Sequence, residues 1–142
     1  MIEGVTRSFT HQMVRQRTAV YAQESLRFAV KPEGFADEVA LPPSLRGLPA
    51  DDPRIVVWAD GVVAAEEAYT RLVDSGVPAE DARGLLPHNI TTRLHYVTNL
   101  RSLLEHGGMR LCTQAQFEWR TVWIGIIKAI REYNNGRDET MT

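Results

Sequence analysis

The chain has a single cysteine, Cys112, only two lysines, and no long apolar run. One thiol cannot close a disulfide within the chain, and beside four scattered histidines it gives neither CxxC nor HExxH spacing, so no metal site is expected. No stretch approaches the roughly 18 to 20 apolar residues that cross a bilayer. The opening MIEGVTRSFT also lacks the basic-then-apolar layout of a signal peptide, so the expected location is cytoplasmic with no membrane partner. Neither GxGxxG nor GxxxxGK occurs, which leaves no glycine-rich loop for a phosphate. A net charge of −2 gives no general attraction to a nucleic-acid polymer. Any anion must be caught locally.

What the chain does have is 142 residues, enough for a single domain with one modest core over 1–142. Its 44% hydrophobic and 24% charged residues are those of an ordinary globular protein. Of 16 basic residues 14 are arginine, whose planar fork holds carboxylate or phosphate with two parallel hydrogen bonds where lysine offers a point charge. GC-rich codons would give the same bias, so the positions of the arginines carry more meaning than their number.

Five of the seven prolines fall between Pro32 and Pro53, and about 31–51 reads as a long loop. Asp52-Pro53 then caps a helix whose apolar residues, Ile55 through Leu72, recur at three-to-four spacing until Gly76. A short helix follows Pro78 and stops near Pro87, and Thr91 to Thr98 alternate as a strand. Asn99 to about His106 reads as a helix broken by Gly107-Gly108. Thr113 with Gln116 predicts a capping box, after which Ala115, Trp119, Val122, Trp123, Ile126, Ile127, Ile130 and Tyr133 draw one apolar stripe, ended by Asn134-Asn135-Gly136 and a frayed tail. Thr6 to Val14 reads as a helix and Thr18 to Val30 as extended. The fold class is α+β, a helix-dominated single domain with a small sheet.

The densest polar cluster runs from Gln12 to Phe28 and holds Arg15, Arg17, Arg27, Gln12, Gln16, Gln23, Glu24 and Ser25. Taken by its residues, it is either a site for a phosphate and the polar edge of a planar ring, or a solvated face. Its spacing, Arg15-x-Arg17, seven residues, then Ser25, resembles the RHR-x7-S signature of the flavin-dependent thymidylate synthases, the ThyX family. The downstream runs Glu80-x-Ala82-Arg83-x-x-Leu86-Pro87, Asn99-x-Arg101-Ser102-Leu103 and Met109-Arg110-x-Cys112-x-x-Ala115-Gln116-Phe117-Glu118 are similar to that family's second half in the same order.

The resemblance implies a uridylate site lined by Gln12, Arg15, Gln23 and Glu24, with Ser25, Leu26 and Arg27 at the phosphate. It places Arg83 and Arg110 on the nucleotide, and Arg110 against the uracil as the catalytic group. For the flavin it implies Arg15, Gln16, Arg17, Thr18, Asn99 and Arg101. The implied reaction transfers a one-carbon unit from methylenetetrahydrofolate to C5 of UMP or dUMP, with FAD and NADPH as redox partners and no protein nucleophile. Family members are homotetramers with sites between subunits, and the apolar face of 113–133 would join such an interface.

Three departures stand out. Gln16 replaces the signature histidine and cannot carry charge. Phe28 stands where tyrosine is usual, leaving room for a ribose 2′-OH. The chain opens at IEGVTR, which in the family lies well inside the domain, so another chain or a different packing would have to cover the side where flavin contacts precede it. Short length, arginine richness and Phe28 resemble the UMP/dUMP C5-methylases of nucleoside-antibiotic pathways. The competing reading is a nucleotide- or flavin-binding homologue without turnover; a purely structural helical adaptor leaves the arginine pattern unexplained. Replacing Phe28→Tyr should move preference from UMP toward dUMP, and an unchanged ratio of the two kcat/KM values rejects the pocket argument.

Overall fold

The computed structural model describes residues 1–27 and 34–138, so the readings for Phe28 and for the tail beyond 138 lie outside the described residues. Its elements are β1 (Ile2–Thr6), α1 (Arg7–Met13), β2 (Ala19–Gln23), α2 (Pro53–Asp74), α3 (Ala79–Ala82), β3 (Thr91–Thr98), α4 (Leu100–Arg110) and α5 (Phe117–Asp138), with 3-10 turns at Ala36–Glu38 and Arg83–Leu85. The α+β, helix-dominated class is what the sequence predicted.

The sheet has three antiparallel strands in the order β1-β3-β2. Central β3 buries Thr92 and Leu94 on alternate positions, the period of a half-covered strand. Tyr21 of β2 lies opposite Tyr96 of β3, and the two rings stack with centroids 5.6 Å apart. The sequence missed β1, reading only the helix after it. Gly4 at φ +67 and the register shift between Ile2 and Val5 interrupt its alternation, so only pairing with β3 makes it a strand. Of the predicted extended run from Thr18, the strand proper is Ala19–Gln23.

The first core joins Val5, Phe9, Met13, Leu94, Leu103, Trp119 and Trp123, with Val122, Ile126, Ile127 and Ile130 of the predicted stripe packed against it. The second lies under α2, where Tyr69 meets Phe35 edge-on at 5.7 Å beside Ala82 and Ile90. Asp52 caps α2 by accepting from the Arg54 N–H, and Gly76 at φ +89 ends it with hydrogen bonds from Gly76 N to Val73 O and from Val77 N to Leu72 O. The loop before α2 is pinned by Glu66, whose Oε1 accepts from the backbone N–H groups of Phe35 and Ala36, and by a lone bridge between Val39 and Ile90.

Three predicted boundaries are corrected. Gly107-Gly108 do not break α4, which runs on to Arg110. Gly107 is buried in the helix because a Cβ there would lie 2.7 Å from Trp123 Nε1, so the glycine serves close packing between helices. Thr113 does not cap α5: it lies in a turn with Gln114, and the helix starts only at Phe117. Gln116 instead donates its side-chain N–H to Glu118 Oε2 at 2.7 Å. Nor do Asn134-Asn135-Gly136 stop α5, which runs through them to Asp138.

Glu118, buried in the first turn of α5, binds the start of that helix to the β1–α1 junction. It accepts from the Thr6 N–H at 2.7 Å and from Thr6 Oγ1 at 2.5 Å, while Thr6 Oγ1 accepts from Phe9 N and so caps α1. Replacing Gly107→Ala should cost about 1–3 kcal/mol by overpacking against Trp123. Thermal melting followed by circular dichroism checks this, and an unchanged Tm rejects the close approach.

Candidate functional site

Trp119 follows Glu118 directly, and its indole organises two predicted residues that lie far apart in the chain. Its Nε1–H donates to Gln12 Oε1 at 3.1 Å across 107 residues, and the Arg110 guanidinium carbon sits 4.4 Å from its ring centroid. The ring is 1% exposed, wedged against Phe9 and Trp123. Arg110 ends α4, and its Nε–H is buried with no acceptor among the described residues. An orphaned donor on a held guanidinium invites an acceptor from outside the chain.

Arg15-Gln16-Arg17-Thr18 forms the turn between α1 and β2. Arg15 and Arg17 are exposed and have no side-chain partner among the described residues. Gln16 between them points inward, 4% exposed: its Oε1 accepts from Tyr96 OH at 3.0 Å and its Nε2 lies 3.4 Å from Thr18 Oγ1. Tyr21 OH donates to the carbonyls of Met13 and Gln16, so both stacked tyrosines hold this turn. Burial first, then the neighbouring Tyr96, push the Tyr21 hydroxyl up to about 12, with Arg110 opposing.

A second group of predicted residues gathers around Glu80. Arg27 donates through Nε and an Nη to Glu80 Oε2 at 3.1 and 2.8 Å, and Arg83 Nε donates to the Glu80 carbonyl at 2.9 Å. Ser25 Oγ accepts from the Arg27 N–H in a local turn. Glu24 is linked to Arg93 by backbone and, at 3.5 Å, by side chain; Gln23 donates to Thr10 Oγ1 at 2.9 Å.

Leu26 and Arg83 line a cavity of about 440 Å³ together with Arg7, His11, Pro87 and His88. Sequence reasoning missed Arg7, His11 and His88; the only signal was the four-residue spacing of Arg7 and His11 on one face of α1. The Arg7 guanidinium is held below the usual arginine value, first by burial and further by Arg83, against the opposing Glu24. Asn99 and Arg101 stand elsewhere. Asn99 caps α4 by accepting from the Ser102 N–H at 2.8 Å, and Arg101 pairs with Glu105, roughly 14 Å along the helix from Arg110. A larger groove of about 900 Å³ between α5 and the sheet contains no predicted site residue.

The fold thus defines an α+β protein that presents arginines and carboxamides around a small antiparallel sheet, a chemistry suited to anions and to the edges of planar rings. Residues 1–133 match the family described as thymidylate synthase complementing protein, Thy1. A relative from Geobacter sulfurreducens, named flavin-dependent thymidylate synthase, is 37% identical over 131 residues, 92% of this chain and 54% of the relative. Proteins of the same name from Pyrococcus horikoshii and Sulfolobus acidocaldarius are 36% and 39% identical, each over 85% of this chain and over 49% and 44% of the relative. The chain belongs to the Thy1 family. It spans about half the length of the curated relatives it matches.

Neutral Tyr21 shares its one hydroxyl proton between the carbonyls of Met13 and Gln16, a contact that tyrosinate cannot make. Its raised value makes this contribution complete below about pH 10 and lost as pH rises toward about 12. The Tm difference between the wild type and Tyr21→Phe should therefore be constant below pH 10 and shrink above it. A difference that does not change with pH overturns the assignment.

Proposed function

We propose that this chain acts in the flavin-dependent C5-methylation of a uridylate, dUMP or UMP, with methylenetetrahydrofolate as one-carbon donor and NADPH as reductant. The observation that carries the reading is Arg110: a guanidinium fixed over Trp119 beside Gln12, with a buried Nε–H that lacks an acceptor. A uracil carbonyl is an acceptor of that kind, and a cation there stabilises the negative charge that develops when C5 becomes nucleophilic. Gln12 lies within the same indole-centred group and would read the ring's polar edge.

The residues present fit FAD in their donor set. Arg15 and Arg17 offer exposed guanidinium groups to its anionic and carbonyl oxygens, and Arg101 adds a third exposed cation. Asn99 and Gln16 would act differently from the other candidates, since Asn99 Oδ1 caps α4 and Gln16 has both amide atoms turned inward. When bound, the flavin supplies the redox chemistry that no side chain provides. The chain's own part is to bind, orient and place positive charge. Because Arg15 and Arg17 face outward and α4 exposes Leu100 and Leu104, the reading includes a homotetramer with sites shared between subunits.

Protein supplied with FAD, NADPH, methylenetetrahydrofolate and either dUMP or UMP should give a product heavier by one methyl group. Its preference separates a thymidylate synthase from a methylase of the antibiotic-pathway kind. Replacing Arg110→Ala should lower turnover on the order of a hundredfold or more while circular dichroism stays native. Retained methylation rejects the role of Arg110. Nucleotide and flavin binding by the wild type without methyl transfer would instead establish the non-catalytic reading.

A further inference from the structure

Trp119 carries one hydrogen-bonding group, the indole N–H, and that group can only donate. Its bond to Gln12 at 3.1 Å therefore fixes which end of the carboxamide faces the indole. Oε1 is consumed, and the two N–H groups of Nε2 are left over. Gln12 is exposed on α1, and its Nε2 has no partner among the described residues. A free carboxamide presents either a donor or an acceptor by turning over. Here the indole removes that choice, because it is itself immobilised, 1% exposed and packed against Phe9 and Trp123. Against the same ring lies Arg110, whose buried Nε–H is a donor without an acceptor. Two residues far apart in the chain are thus held by one side chain, and both offer donors.

We propose that Trp119 is a positioning residue that sets base specificity: by holding the Gln12 carboxamide oxygen, it makes Gln12 a donor only and selects uracil over cytosine. The inference rests on the uridylate reading of Arg110 and Gln12, and adds to it a residue that touches no substrate. Uracil has carbonyl oxygens on both sides of N3, so donors from two separate residues can each meet one. Cytosine replaces the C4 carbonyl by an amino group, which is itself a donor. Its N–H groups would face those of Gln12, leaving both sides unpaired away from water. A carboxamide free to turn over would accept from that amino group instead, and the discrimination would vanish. Specificity of this kind comes from a polar group that cannot adapt to the wrong partner.

The test is calorimetric titration of the full chain with dUMP and with dCMP, which reads binding without turnover. The wild type should hold dUMP about tenfold or more tighter than dCMP. Trp119→Phe keeps a ring beside Arg110 but deletes the indole N–H, so the preference should fall to near parity. Trp123→Phe alters a neighbouring buried indole that has no bond to Gln12, and should keep the wild-type ratio. Gln12→Glu leaves one carboxylate oxygen on the indole and puts an acceptor where the amide had donors, so it should reverse the preference toward dCMP. No loss of packing produces that reversal, and because Gln12 is exposed this variant decides the matter even where Trp119→Phe does not fold. An unchanged ratio in Trp119→Phe, an equal loss in Trp123→Phe, or no reversal in Gln12→Glu overturns the proposal. Equal binding of dUMP and dCMP by the wild type overturns this inference alone, whereas binding of neither overturns the uridylate reading and this one with it.

Discussion

The arrangement of this protein depends on one buried carboxylate. Glu118 accepts hydrogen bonds from Thr6 and Gln116, and Thr6 in turn caps α1, so the start of the last long helix is bound to the first turn of the first. Charge-assisted hydrogen bonds away from water are worth more than neutral ones, and leaving that carboxylate without its donors would be costly. Trp119 is the next residue. Its indole reaches Gln12 and lies under Arg110 only because α5 starts at this point and angle. A chain of contacts therefore leads from a structural carboxylate to the guanidinium on which the functional reading rests.

Around that joint the arginines fall into different mechanical states. Arg110 is fixed by stacking, Arg27 and Arg83 are gathered by Glu80, and Arg15 and Arg17 face outward from the Gln16 turn. Residues that read alike in sequence thus serve different ends. Fixed arginines offer preorganised charge, whereas exposed ones are suited to partners that arrive from outside the chain.

Much of the fold was legible from local rules. Asp52-Pro53 and Gly76 delimit α2 because caps and left-handed glycines are local chemistry, and β3 shows its alternation directly. Where the reading failed, a distant partner had overridden a local signal. β1 is a strand because of β3, and Gly107 sits inside a helix because Trp123 crosses it. Thr113 lost its expected capping role when Gln116 turned to Glu118. The site divides in the same way. Arg15, Arg17, Arg83 and Arg110 are expected at the site from the family resemblance, but His88 joins Arg7 and His11 of α1 only through tertiary folding, and the inward turn of Gln16 requires Tyr96, 80 residues away.

The carboxamide at position 16 has an operating consequence. An imidazole in that slot would exist in two charge states near neutrality, and the turn bearing Arg15 and Arg17 would feel the proton concentration of its surroundings. Gln16 has no such second state. Its hold on Tyr96 is indifferent to acidity across the physiological range, so the placement of this loop is decoupled from cellular pH fluctuations.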